Sequence, residues 1–343
     1  MEVQTVEHTP GMSAVIRPGV LLARSPDVAG RWAQAVEHMD GWFTVRLAPG
    51  ADPCEIAAEL TGRGHEVAPN HVVTGQPLYF GGPTGAPLPA PAPAYEPGEP
   101  SRVTVGLLDT GVLPHPWFTG CDWFRDQPGE VLDADGDGRL DGQAGHGTFI
   151  AGLLLRQAPG VRLRVVRVLN SEGAGDEAGV LRALNRLRAG RVDVLVLSFG
   201  CHTYDDRPSP LVERALAAFT GTVVVACAGN TGSSRPFWPA ALPRVVAVGA
   251  LDATGTNRAR FSAFGPWVDA CACGESLVSS FANFDHFQSY AVWSGTSFSA
   301  AVVAGAIAAA ARDMSPAEAA AHVLDPGRGR RFPELGVAVP APR

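Results

Sequence analysis

The sequence predicts an α/β fold, a mostly parallel sheet with helices on both faces, preceded by a small α+β unit. Three observations carry this. From residue 103 onward, apolar runs of strand length recur at Val103 to Leu108, Leu163 to Val168, Val192 to Leu197, Thr222 to Ala226 and Val245 to Val248. Charge interrupts them only at Arg164, Arg167 and Asp193, as expected of strands buried on both faces. Helical stretches at Asp176 to Ala189 and Pro210 to Phe219 alternate with these runs, which is the pattern of a parallel sheet. Residues 81–100 hold seven prolines and four glycines, with Pro87, Pro89, Pro91 and Pro93 alternating with other residues. That composition favours an extended spacer and marks a domain boundary.

The small unit spans 12–80. Val20 to Ala23 reads as a strand, Val28 to His38 as a helix with Trp32, Ala33 and Val36 on one face, and Trp42 to Leu47 as a strand. Asp52, Pro53 and Glu55 supply a cap, a first-turn proline and an acid three places on, so a helix starts there and ends near Gly62 or Gly64. Glu66 to Val73 returns as a strand. About 60 residues make a marginal core alone. The larger unit spans 101–325, and the Arg- and Pro-rich residues 326–343 are expected to be loosely ordered.

Composition bounds the function. The chain has 343 residues, 46% hydrophobic and 18% charged, which excludes a mainly disordered protein. Its formal net charge is −7, from 27 basic and 34 acidic residues, with no basic stripe, so no nucleic-acid partner is expected. Residues 1–12 show neither a positive nor an apolar segment of a signal peptide, and no run reaches about 18 uncharged apolar residues. A cytoplasmic protein without a membrane partner is therefore expected, with export by another route left open. The six cysteines, Cys54, Cys121, Cys201, Cys227, Cys271 and Cys273, are expected to be reduced. Cys271 and Cys273 lack a zinc-site spacing and read as structural thiols.

Four residues stand where active groups of parallel sheets stand, at strand ends and helix starts. Asp109 closes Val105-Gly-Leu-Leu and is either a turn residue or a buried acid with a partner. His146 lies between Gly145 and Gly147, where glycines permit close approach and leave an imidazole accessible. Asn230 follows Ala228-Gly229, and is either a turn residue or a fixed amide donor for a developing oxyanion. Ser297, in Ser294-Gly-Thr-Ser297 ahead of an Ala-rich run to Ala311, is either a helix cap or a nucleophile at the helix's positive end.

Together, in the order Asp, His, Asn, Ser, these segments resemble the subtilisin-like (subtilase, S8-type) serine peptidases. The matching stretches are Val105 to Val112, Gly145 to Gly152, Leu197 to Gly200, Val225 to Asn230 and Ser294 to Ala300. Smaller echoes are Pro239 to Pro243 leading into Val246 to Gly249, and Phe261 to Gly265. The resemblance covers about 101–325 and implies a three-layer subtilisin-like fold and a serine endopeptidase acting on polypeptides. It assigns Ser297 as nucleophile, His146 as general base and acid, Asp109 as its orienting acid, and Asn230 with the Ser297 N–H as oxyanion hole. It implies that Ser198, Phe199 and Gly200, with Ala226, Cys227 and Ala228, line the peptide cleft. Phe199 and Cys227 are then candidates for narrowing the first specificity pocket. The sequence departs from the family at Ala301 and Val302, where Pro and His are usual, and at Cys273 in Ala272-Cys-Gly274. The N-terminal unit, through Glu66-Val-Ala-Pro-Asn70, is similar to the family's pro-domains, which implies an inhibitor of the chain's own cleft. Linker composition suggests a maturation cut within 75–102.

No cofactor is required for that chemistry, but one further motif suggests a structural Ca²⁺. Asp133, Asp135, Asp137 and Asp141 occupy positions 1, 3, 5 and 9 of a calcium loop with Gly138 at position 6, while Ala144 stands where a Glu is expected. A solvated acidic turn is the competing reading. A weakly active or inactive binding or regulatory module on the same fold is the alternative function. A nucleotide-binding protein is excluded by the absence of Gly-x-Gly-x-x-Gly after the first strand.

Overall fold

The structure is a computed structural model that describes residues 2–28, 30–76 and 85–341. The expected junction at residues 80 and 81 lies outside the described residues, as do 342 and 343 of the tail.

The N-terminal unit contains β1 (Gln4–Thr9), β2 (Met12–Ala23), a 3-10 turn at Gly30–Trp32, β3 (Ala33–Met39), β4 (Trp42–Leu47), α1 (Pro53–Gly62) and β5 (Val67–Gly75). Asp52 caps α1 by accepting from the Cys54 and Glu55 N–H groups at 2.7 and 3.2 Å. The helix buries Cys54, Ile56, Ala57 and Leu60 in a core shared with Ile16 and Leu21 of β2 and Val45 of β4. The expected helix over Val28 to His38 is not formed. Ala33 to Met39 instead pairs antiparallel with Leu47 to Trp42, closed by the two-residue turn Asp40-Gly41 with Gly41 at φ +86°. That turn is a hairpin signal, and it overrides the helix-like spacing of Trp32, Ala33 and Val36.

Residues 88–89 form β6, which pairs antiparallel with β16 (Tyr290–Trp293). The Trp293 indole N–H donates to the Gly85 carbonyl at 2.8 Å, and Tyr95 stacks on Trp117 at 4.5 Å. The part of the expected spacer from Gly85 onward therefore lies against the larger unit rather than free of it.

The larger unit is built on β7 (Thr104–Asp109), β8 (Arg162–Arg167), β10 (Val194–Leu197), β12 (Val223–Cys227), β13 (Val245–Leu251) and β14 (Ala270–Cys273), all in parallel pairs. Two short segments, β9 (Ala174–Asp176) and β11 (Phe199–Gly200), flank the cleft, and β15 (Leu277–Ser280) pairs with β16. Successive side chains of a strand point to opposite faces. Val105, Leu107, Val194 and Val196 pack with α2 (His146–Gln157) and α5 (Thr296–Ala310), which α6 (Pro316–Val323) joins. Leu108, Leu195 and Leu197 pack with α3 (Glu177–Arg188) and α4 (Pro210–Ala217). The result is three layers with one core on each face. Twelve of the fifteen residues of α5 are buried, which explains an Ala-rich run without a polar face.

The tail is not loosely ordered. It forms β17 (Arg331–Phe332) and β18 (Gly336–Ala338), and β18 pairs parallel with β14 at the sheet edge. Leu335, Val337 and Val339 are buried. Their alternation is a strand signal that the surrounding Arg and Pro residues mask. Leu335→Ala is expected to lower unfolding free energy by about 2–5 kcal/mol in urea titrations, the range for a buried Leu deletion; a change near zero would mean a tail that does not pack.

Candidate active site

Asp109 ends β7, and its neighbours dictate its orientation. Oδ1 accepts from the Thr110 N–H at 2.8 Å and His146 Nδ1 at 2.7 Å, with the Thr110 hydroxyl oxygen 3.2 Å away. Both members of the Asp109–His146 pair have side chains that are 0% exposed. A buried carboxylate is tolerable only when donors meet it, and here two N–H groups converge on one oxygen. With Nδ1–H given to Asp109, His146 presents Nε2 as an acceptor. Nε2 is buried and has no hydrogen-bond partner among the described residues.

His146 is the first residue of α2, and its two glycines are required by close approach. A Cβ on Gly145, which has φ +84°, would lie 2.4 Å from the Phe281 ring, and one on Gly147 would lie 2.1 Å from the Gly111 carbonyl. Trp293 meets the imidazole edge-on at 5.9 Å and Phe298 tilts against it at 5.5 Å.

Asn230 follows β12. Its Oδ1 accepts from the Thr296 N–H at 3.0 Å and the Thr296 hydroxyl at 2.8 Å. Those two donors fix the amide, so Nδ2 faces the cleft, where it donates to the Gln76 carbonyl at 2.7 Å. Ser297, the second residue of α5, is held at the same point. Its hydroxyl donates to the Ser198 carbonyl at 2.9 Å and accepts from the Gln76 N–H at 3.2 Å. Ser297 does not cap α5; Gly295 stands at that position.

The cleft holds the end of β5. Val72 to Thr74 pairs antiparallel with Asp176 to Ala174 on one side, and Thr74 and Gly75 pair with Gly200 and Phe199 on the other. Gly75 N–H donates to the Gly173 carbonyl at 2.8 Å and Gln76 N–H to the Ser198 carbonyl at 3.3 Å. Of the expected cleft residues, Ser198, Phe199 and Gly200 flank β5. Ala226, Cys227 and Ala228 do not pair with it, because the β12 backbone is committed to β13 and the Ala228 N–H donates to the Val248 carbonyl. Phe199 is buried in one core cluster with Val73. Cys227 is buried against α5; burial pushes its thiol up to about 12, partly offset by Ser297, so it stays protonated.

Several participants were not singled out from sequence. They include Gln76, Gln143, β9 and Glu130. Glu130 joins the strand end to the helix start. Its carboxylate takes hydrogen bonds from the hydroxyls of Thr110 and Thr148 and from the Gly147 N–H at 3.3 Å, and Thr148 Oγ1 also accepts from the Leu113 N–H at 2.8 Å. Burial raises the Glu130 carboxyl to about 7, with the Thr110 and Thr148 bonds opposing and the charge of Asp109 adding.

Asp133, Asp135 and Asp141 bring one carboxylate oxygen each within 4.8 Å of one another. Asp137 is outside this group; its carboxylate accepts from the Arg139 N–H at 2.8 Å. Backbone N–H groups of Gly138, Gly136 and Asp137 fold around Asp133 and hold its carboxyl below the usual range, Gly138 most of all.

The model of the subtilase family, peptidase S8, matches residues 101–326. The chain belongs to the subtilase family. It is 34% identical over 219 residues to subtilisin BL of Lederbergia lenta, covering 61% of this chain and 76% of that protein. It is 33% identical over 222 residues to subtilisin DY of Bacillus licheniformis, at 61% and 76% coverage. It is likewise 33% identical over 219 residues to an alkaline protease of Alkalihalobacillus alcalophilus, covering 61% of this chain and 53% of that protein. This subtilase is thus a serine-type endopeptidase, a hydrolase acting on polypeptides, with no cofactor needed for its catalysis. The expectation of a cytoplasmic protein is overturned, because the related subtilisins and alkaline proteases are secreted enzymes. Among the described residues no helix is long and apolar enough to cross a membrane.

The raised Glu130 carboxyl sets a pH dependence. Between its ordinary value of 4.5 and about 7 the folded subtilase binds more protons here than the unfolded chain. This group's contribution to stability therefore falls as pH rises through that window. Glu130→Gln removes the titration, so its stability relative to wild type should improve from pH 5 to pH 8 in paired urea denaturations. A pH-independent difference would contradict the assignment.

Proposed function

We propose that this subtilase cleaves peptide bonds through Ser297, His146 and Asp109, and that its N-terminal unit holds the cleft closed. The observation that carries both statements is the Gln76 carbonyl on Asn230 Nδ2, with Gln76 N–H on Ser297 Oγ. A substrate carbonyl placed there has an amide donor waiting for the charge that develops as the tetrahedral intermediate forms. Ser297 attacks the carbonyl carbon, Nε2 of His146 takes the hydroxyl proton and delivers it to the leaving amine, and water then hydrolyses the acyl-enzyme. Asp109 holds the imidazole in the tautomer that leaves Nε2 free, and Thr110 and Glu130 hold Asp109 and the start of α2 in register. Losing Asn230 should cost about 10²- to 10³-fold in rate, a value carried over from a subtilisin.

In the closed state the Ser297 hydroxyl points to Ser198 rather than to His146. The N-terminal unit is fastened well beyond the cleft. His71 pairs with Glu177 at 3.1 Å with both side chains buried, Asn70 accepts from the Ala178 N–H at 3.1 Å, and Arg17 pairs with Asp176 at 2.9 Å. Removing one partner of a buried pair costs about 3–5 kcal/mol. The full chain should therefore react slowly with a fluorophosphonate probe, and His71→Ala should label at least about tenfold faster by opening the cleft. Ser297→Ala should abolish labelling in either background. A His71→Ala chain that is folded but unlabelled would leave a binding module on this fold.

We also propose that Asp133, Asp135 and Asp141 hold a Ca²⁺. An all-oxygen set suits a hard cation, with carbonyls and water completing six to eight ligands in place of the Glu absent at Ala144. The ion would tie the loop to the segment that carries His146. Millimolar Ca²⁺ should raise Tm and Mg²⁺ should not, while Asp133→Asn together with Asp141→Asn should erase the rise; an equal response to both ions would point to ionic strength alone.

A further inference from the structure

The segment in the cleft ends in a way that the closed state alone does not require. Gln76 places its carbonyl on Asn230 Nδ2, and its side-chain Oε1 accepts from the Asn230 backbone N–H at 2.8 Å. Its Nε2 donates to the Thr74 carbonyl at 3.2 Å. Both ends of the glutamine amide are thus satisfied inside the site, and Gln76 is buried. Gly75 is equally specified. The Gln143 side chain is fully buried between Gly75 and Gly173 and donates to the Gly75 carbonyl at 3.2 Å. A Cβ on Gly75 would lie 2.0 Å from Gln143 Oε1, and one on Gly173 would lie 1.9 Å from Gln143 Cδ. Gln143 therefore has no room to give on its far side, and it reads the absence of a side chain ahead of the glutamine. Val73 completes the fit in an apolar pocket with Phe199 and Val180. The next residue in the sequence is Pro77.

We propose that Val73-Thr74-Gly75-Gln76 is the enzyme's own preferred substrate sequence, glycine then glutamine ahead of the cut bond, with Gln143 enforcing the glycine, and that a proline nitrogen after Gln76 makes this bond resist cleavage. This rests on the peptidase reading above. Acyl transfer forms a bond from Ser297 Oγ to the Gln76 carbonyl carbon and breaks the bond from that carbon to the nitrogen of residue 77. The Ser297 proton passes to His146 Nε2 and on to that nitrogen. For an ordinary residue the nitrogen carries a hydrogen and can turn its emerging lone pair toward the imidazole. In proline a ring carbon replaces the hydrogen and the ring ties the nitrogen to its own Cα. The lone pair then turns only if the ring swings with it, so the intermediate collapses back to the intact bond. The substrates implied are extended polypeptides carrying an apolar residue, any residue, glycine and glutamine before a residue other than proline.

The test uses the full chain as its own substrate, read by intact mass and N-terminal sequencing. Pro77→Ala should cleave itself between residues 76 and 77, and Pro77→Ala with Ser297→Ala should stay intact. Adding Gly75→Ala to Pro77→Ala should slow this cut by about 10- to 200-fold, the usual worth of one misfitting methyl group. Adding Gln143→Ala as well should restore it. The His71→Ala chain, labelled by fluorophosphonate in parallel, separates the two readings. If it labels while Pro77→Ala remains intact, or if Gly75→Ala cuts as fast as its parent, the substrate assignment is overturned and the peptidase reading stands. If the folded His71→Ala chain fails to label and Pro77→Ala stays intact, both fall together.

Discussion

The 2.7 Å contact between Asp109 and His146, sealed from water, is the constraint around which this subtilase is arranged. A carboxylate in that position is costly unless donors surround it. The donors come from a strand end and a helix start, so the two must meet at a fixed distance. Gly147 permits that approach, Thr110 links both elements, and Glu130 ties Thr110 to Thr148 across the junction. The parallel sheet then brings Ser198 and Asn230 to the same edge, because β7, β10 and β12 run side by side in one direction.

Much of this was legible in the sequence, for identifiable reasons. Strands buried on both faces leave near-continuous apolar runs, so β7, β8, β10, β12 and β13 were located. The candidate catalytic segments were legible because glycines flank His146 and precede Asn230, a local pattern that the sequence shows directly. Elements whose stability comes from a partner were not. β3 is an exposed edge strand held by pairing to β4, and its own spacing imitates a helix. β18 is three residues long and owes its order to β14. Glu130 resembles any loop acid until Thr110 and Thr148 close on it. Asp137 fits a loop pattern by position alone, yet its carboxylate turns to Arg139.

The cleft residues divide along the same line. Ser198, Phe199 and Gly200 follow a strand and have backbone groups free to receive β5. Ala226 and Cys227 belong to a central strand paired to β10 and β13, and the Ala228 N–H that follows it is taken by Val248. Gln76 was not legible because it has meaning only opposite Asn230, more than 150 positions away. β5 is thus a strand with two allegiances, joined to β2 in its own unit and to β9 and β11 in the other.

The placement of β18 has a consequence for how the chain is made. Among the described residues, the open side of β14 is covered by β18, more than 60 positions later in the sequence, with Val339 buried beside it. During synthesis β14 therefore emerges before its partner, and the sheet can finish this edge only once residues 336–338 have followed. Until then an unpaired, apolar strand is exposed, which is the usual template for aggregation. Premature termination just short of residue 335 would leave Asp109, His146, Asn230 and Ser297 all present on an unfinished sheet.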